Sequence, residues 1–237
     1  MQEVWAREAS AWTELAELMA DPLYWAPPRT GDGRAVLVLP GLFGNDWYLG
    51  PLRSWLDRAG FRAVRSSLLV NAGCPERLTR RIEGHLARRL KAPEQRVVII
   101  GHSRGGLLGR TIASRLQERA SHLVLLGSPV GGITSWAQAR GIAGPATARL
   151  QQASDQARRL LDPDCTVPDC GCPFPEDFLR PLHASTNVVS IFSPTDPIVP
   201  ARACHVPRGR NVEVSGTHIG LAFNRAVYRE LAEALRE

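Results

Sequence analysis

Short, nearly continuous apolar runs alternate along the chain with stretches whose apolar positions recur every three or four residues. The runs are Ala35–Leu39, Phe61–Arg65, Val97–Ile100, Leu123–Leu126, Val188–Phe192 and Val212–Val214. Rich in Val, Ile and Leu, they read as strands buried on both faces of a parallel sheet. Between them, Pro51–Arg58, Pro75–Leu90, Ser103–Glu118 and Leu221–Leu235 read as helices, the second with an apolar stripe of Leu78, Ile82, Leu86 and Leu90. Gln2–Ala20 places Trp5, Trp12, Leu15, Leu18 and Met19 among charged residues and predicts one amphipathic helix, which Asp21-Pro22 ends. Such alternation predicts an α/β fold: a mostly parallel central sheet with helices on both faces. The exception is Val130–His183, which lacks a strand pattern and holds a helix candidate at Pro145–Leu161 and a Cys/Pro-rich stretch from Asp162 to Pro175. An insertion of that length in a compact α/β domain predicts a lid over a site. The organisation is one domain over residues 1–237 with a lid-like insertion at about 130–183.

Candidate chemistry sits where the third strand turns into a helix. Gly101-His-Ser103-Arg-Gly105 has the spacing G-x-S-x-G. Glycine is needed on either side because a side chain there would collide in so tight a turn, and the serine hydroxyl is left exposed at the carboxyl edge of the sheet. A serine hydroxyl needs a base to take its proton. Of the histidines, His218 follows the last strand run, within Gly216-Thr-His-Ile-Gly220, whereas His205 precedes that run. Asp196 follows the preceding run and can fix the tautomer of His218. An oxyanion hole needs two backbone donors. The Leu42 amide, in the loop Pro40-Gly-Leu-Phe-Gly44 after the first strand, and the Arg104 amide fit that role. The Arg104 side chain has the simpler reading of an ion pair. Phe43, Trp47, Tyr48 and Trp136 are candidates for an apolar substrate pocket, with Ile133 and Phe174 beside them.

These motifs, with Ser128-Pro129 after the fourth run, resemble the α/β-hydrolase superfamily and within it the bacterial lipase/esterase-type proteins. The similarity covers roughly Arg34 to Arg236. It implies nucleophile, acid and base roles for Ser103, Asp196 and His218, the order of the residue reading, and hydrolysis of esters with apolar acyl groups. The chain has Pro-Gly where many lipases have His-Gly. Thioesterase and acyltransferase chemistry use the same three residues, and fold alone does not choose among them. A non-catalytic interaction module is disfavoured because all three residues are present.

Composition changes this picture little. Hydrophobic residues make up 44% and charged residues 22% of 237, the balance of an ordinary globular domain. The formal net charge is +6, almost all of it arginine, with Lys91 the single lysine. The arginines are scattered along the chain, which predicts a solvated surface and no nucleic-acid partner. No apolar run is long enough to span a bilayer, and Met1–Glu8 lacks a signal-peptide pattern, so the cytoplasm is the expected location. The expected partner is a small-molecule or lipid ester, with no cofactor and no metal. Cys165, Cys170 and Cys172 crowd the insertion and Cys204 follows Asp196, which makes a disulfide from insertion to acid loop one candidate. A structural zinc is disfavoured by the C-x4-C-x-C spacing, free thiols are a third reading, and Cys74 reads as a plain small residue after a strand.

Overall fold

The computed structural model describes residues 2–131, 145–165 and 171–236. The apolar runs become strands β1 (Ala35–Leu39), β2 (Arg62–Val64), β3 (Val97–His102), β4 (Ala120–Leu126), β5 (Asn187–Phe192) and β6 (Arg210–Glu213). They form one sheet in the order β2-β1-β3-β4-β5-β6, and every pairing is parallel. Successive side chains of a strand point to opposite faces, and the core divides accordingly. Val36, Val38, Val98, Ile100, Val124 and Leu126 pack on one face, and Leu37, Leu39, Ile99, Leu123 and Leu125 on the other. The chain order reverses direction between β1 and β3, so their carboxyl ends flank the switch point where ligands bind in open α/β sheets. The Pro40–Gly44 loop and Ser103 both emerge there.

Helices α1 (Gln2–Glu8), α2 (Ala11–Ala20) and α3 (Pro22–Trp25) precede the sheet. Between strands come α4 (Gly50–Arg58), α5 (Pro75–Arg89), α6 (Arg104–Leu116), α7 (Pro145–Leu161) and α8 (Phe174–Leu179), and α9 (Arg225–Ala234) closes the chain. Trp55 and Leu56 of α4, Tyr228 and Leu231 of α9 and Leu18 of α2 cover the first face. Ile82 and Leu86 of α5, Leu108 and Ile112 of α6 and Phe174 and Phe178 of α8 cover the second.

The sequence reading needs correction at both ends. The single helix expected over Gln2–Ala20 is broken at Ala9-Ser10, where the Ser10 hydroxyl donates to the Arg7 carbonyl and competes with the helical backbone. The last helix starts later than Leu221, because the Asn224 side chain accepts the Ala226 amide and caps it there, after a short 3-10 turn at Gly220–Ala222. Helix α8, too short for its periodicity to be read, was not expected. Among the described residues no helix is long and apolar enough to cross a membrane.

One arginine joins the helices behind the sheet. Arg115 of α6 bonds Glu76 at 2.5 Å, Asp177 at 2.7 Å and Glu83 at 3.0 Å, tying α8 and α5 to the helix that follows Ser103. Removing this shared partner leaves three carboxylates close together, with Arg80 still on Glu76 and Arg180 still on Asp177. Arg115→Met should therefore lower unfolding free energy by about 3 kcal/mol, measured by urea denaturation at neutral pH. A loss under about 1 kcal/mol would class the cluster with ordinary surface pairs.

Candidate active site

The turn at Ser103 is as tight as its glycines require. Ser103 has φ 52° and ψ −124°, a left-handed conformation that costs a residue with a Cβ of order 1–3 kcal/mol. A Cβ on Gly101 would lie 2.5 Å from the Gly106 Cα, and one on Gly105 would lie 2.4 Å from the Leu39 carbonyl oxygen. Both approaches are through backbone, which cannot move aside. The missing side chains let β3 turn directly into α6 while the helix start rests against the end of β1. The start of α6, an end that favours negative charge, thus follows Ser103 directly. Neither the Leu42 nor the Arg104 amide donates to a backbone acceptor among the described residues.

The loops after β5 and β6 bring the acid and the base together. Asp196 Oδ2 lies 2.6 Å from His218 Nδ1. Its other oxygen accepts the Ile198 amide at 2.7 Å and the Val199 amide at 2.8 Å, so the carboxylate is held from both sides. A carboxylate only accepts, so Nδ1 carries the imidazole proton and Nε2 is left as the basic nitrogen. Ser103 and His218 line the same cavity without a direct hydrogen bond between them. Such contacts often tighten only when substrate is present.

Four further residues position this machinery and were not singled out by the sequence. Glu8, buried at the end of α1, accepts the His218 amide at 2.9 Å and the Ile219 amide at 2.7 Å. Glu14 of α2 accepts the Thr217 amide and hydroxyl, both at 2.8 Å, and the Asn224 side-chain amide at 2.7 Å. The Gly216–Gly220 bracket serves this contact, since a Cβ on Gly220 would fall 2.1 Å from the Glu14 carboxylate. His102, within the turn motif, lies 2.8 Å through Nε2 from the His218 carbonyl and 2.7 Å through Nδ1 from the Tyr48 hydroxyl. A carbonyl only accepts, so His102 donates from Nε2 and receives the Tyr48 proton at Nδ1. The Tyr48 oxygen in turn accepts the Gly41 amide at 2.9 Å. Burial, then the neighbouring His218, push His102 down to about 3, so it remains neutral and the chain of bonds keeps one direction. Asn71 latches the loop after β1: its side chain donates to the Pro40 carbonyl, its carbonyl accepts the Phe43 amide and its own amide donates to Gly44. Phe43 is thereby held at φ 58°.

A cavity of about 640 Å³ opens in front of Ser103. Of the pocket candidates, Phe43, Tyr48 and Phe174 line it, as do the oxyanion candidates Leu42 and Arg104. Trp47 does not. It is 82% exposed, because its amide bonds back to the Asn45 side chain in a turn that aims the indole at solvent. Trp5 and Trp12 take part in the wall instead. Ile133, Trp136 and Cys170 lie outside the described residues. From the insertion, Leu150, Gln151 and Ser154 of α7 form one side of the cavity.

The cysteines are arranged otherwise than the disulfide reading had them. Cys204 is a free thiol packed with Phe192, Ile198 and Val199, and Cys165 is free as well. Cys165 is a hydrogen-bonding neighbour of Cys74, whose thiol burial pushes up to about 11. Cys204 is buried in an apolar cluster under the acid loop, against which Leu150 of the insertion packs, with no cysteine bonded to it.

A family model described as the alpha/beta hydrolase fold matches residues 80–200. Among curated proteins no sequence matches. The chain is similar in structure to a methylesterase from Arabidopsis, with TM-score 0.56 and 14% identity over 85% of this chain and 98% of the other. It is similar to the monoacylglycerol lipase of Paleococcus ferrophilus, with TM-score 0.55 and 15% identity over 87% and 97%. Tomato methylketone synthase I, in complex with 2-tridecanone, aligns with TM-score 0.57 and 12% identity over 85% and 96%. At such identities these likenesses speak for the fold.

The Glu8 contact carries a pH signature. Burial raises its carboxyl above the ordinary 4.5, outweighing the lowering effect of the Ile219 and His218 amides. The folded protein therefore holds that proton more tightly than the unfolded chain. The stability contributed by Glu8 titration is present in full below the unfolded value and lost as pH rises through the raised folded value. Glutamine does not titrate. Urea unfolding of wild type and Glu8→Gln between about pH 4 and pH 7 should show wild type losing stability relative to the variant as pH rises. A difference that grows in favour of wild type with pH would contradict a buried, uncompensated carboxylate.

Proposed function

The chain belongs to the α/β-hydrolase fold family, and on that footing we propose that it is a serine hydrolase of carboxylic esters with apolar acyl groups. One observation carries the reading: a serine held at φ 52° on a strand-to-helix turn faces the same cavity as a histidine whose other nitrogen is 2.6 Å from a carboxylate. A structural serine has no need of such strain, whereas a nucleophile gains exposure from it.

In the proposed reaction Ser103 Oγ attacks the ester carbonyl while its proton passes to His218 Nε2. Asp196 steadies the imidazolium without taking its proton. The amides of Leu42 and Arg104 receive the oxyanion, the role for which they have no backbone acceptor. Collapse of the tetrahedral species breaks the bond to the alcohol, which leaves with the proton from His218. Water then attacks the acyl-enzyme, giving its proton to His218, and the acid departs as Ser103 recovers that proton. Glu8, Glu14 and His102 hold the backbone of the His218 loop throughout, from three directions. Helix α7 is read as the lid, a role supported by Leu150, Gln151 and Ser154 lining the chamber, where a lid would exclude water.

Turnover of p-nitrophenyl hexanoate tests the assignment. Ser103→Ala and His218→Ala should each lose at least about a thousandfold in kcat while remaining folded. His205→Ala should stay within about tenfold of wild type, because the His205 ring packs on Phe192 at 4.6 Å and does not line the cavity. Near wild-type turnover by Ser103→Ala, or a larger loss at His205 than at His218, would overturn it.

A further inference from the structure

The side chain of Arg104 is not accounted for by ester hydrolysis. It follows Ser103 and lines the cavity, and its guanidinium donates to Ser154 Oγ of α7 at 2.8 Å and to the Gly73 carbonyl at 2.7 Å. Both acceptors are neutral. Among the described residues it forms no ion pair, contrary to the simplest reading of the sequence. The carboxylate within electrostatic reach, Asp155, is 3.4 Å from Arg158, and Arg158 itself repels Arg104. The nearby thiol of Cys74, pushed up to about 11 by burial, supplies no charge near neutral pH. Burial pulls the guanidinium down to about 10, so it is still a cation at neutral pH. A cation withdrawn from water without a counter-ion is unfavourable, and a carboxylate ligand relieves that by charge-assisted hydrogen bonds. Asp155 and Arg158, paired with each other, also line the chamber, and Leu107, Leu108, Leu150, Phe174 and Ile198 supply its apolar wall.

We propose that Arg104 is a recognition site for a carboxylate borne by the substrate, so that the preferred esters combine an apolar chain with an anionic end. This rests on Ser103 being the nucleophile and deepens that reading. The amide of Arg104 faces the reacting oxygen, while its side chain reads the far end of the substrate. The contact with Ser154 lets the same guanidinium link the occupied chamber to α7. Were Arg104 only a strap between α7 and the Gly73 loop, its loss would slow charged and neutral esters alike.

The test compares matched esters on the intact protein. Mono-p-nitrophenyl adipate and suberate carry the carboxylate on the acyl side, with p-nitrophenyl hexanoate and octanoate as neutral partners. A 4-carboxyphenyl ester beside its phenyl counterpart carries it on the alcohol side. In wild type, kcat/KM should favour the anionic member of at least one matched pair by about tenfold or more, and which pair responds identifies the side that reaches Arg104. Arg104→Met should collapse that ratio towards unity, and Arg104→Lys should restore part of it. Equal kcat/KM for charged and neutral partners in wild type overturns the proposal without any variant, as does an unchanged ratio in Arg104→Met. These failures differ from failure of the hydrolase reading, in which even the neutral esters show no turnover that depends on Ser103.

Discussion

The structure turns on the absence of two side chains. With no Cβ at Gly101 or Gly105, β3 can reverse into α6 within the space of one residue, and the helix start can lie against the carbonyls that end β1. Each consequence follows from that closeness. Ser103 is forced into a left-handed conformation and presented at the sheet edge. The orphan amides at the start of α6 come beside the loop after β1. The parallel sheet does the rest, because strands that share a direction deliver every loop of interest to one edge. The same packing explains why the behaviour of α6 matters at a distance: Arg115, three turns along it, gathers the carboxylates of α5 and α8 behind the site.

A second constraint comes from outside the sheet. The His218 loop is held by α1 through Glu8, by α2 through Glu14 and by β3 through His102. Two of these are carboxylates accepting backbone amides, strong bonds made by groups that resist removal from water. Among the described residues Glu8 forms no ion pair with an arginine to offset its burial, and it is held above its ordinary range. Here stability and position are opposed: the buried carboxylate costs folding energy and fixes the backbone of the base. The N-terminal helices are thus part of the site rather than an appendage to it.

The sheet was legible because strands buried on both faces need uninterrupted apolar runs, and the elbow was legible because its sterics demand glycine at fixed offsets. Asp196 and His218 could be found from the ends of β5 and β6, with chain order as the guide. What escaped was long-range. Glu8 and Glu14 read as the polar face of an amphipathic helix, since nothing local says that a carboxylate will meet a loop some two hundred positions later. Trp47 read as pocket because aromatic residues near a site usually are, but a one-residue Asx turn decides where the ring points. The cysteine pairing failed for a related reason. Proximity of Cys204 to the acid loop in sequence says nothing of which face of that loop it occupies, whereas Cys74, passed over as small, is the one that meets Cys165.

The picture that results is a largely apolar chamber bordered on one side by α7, with a strained serine, a carboxylate-bonded histidine and the Arg104 guanidinium, which forms no ion pair among the described residues, set into its walls. Its central claim is that Ser103 alone, among the many serines of the chain, is activated by its surroundings. Reaction of the folded protein with a fluorophosphonate, followed by mass spectrometry of the intact chain and of its peptides, addresses that claim directly. The account predicts a single adduct, located on Ser103 and absent after unfolding in urea. No adduct on the folded protein, or one on another serine, would contradict it.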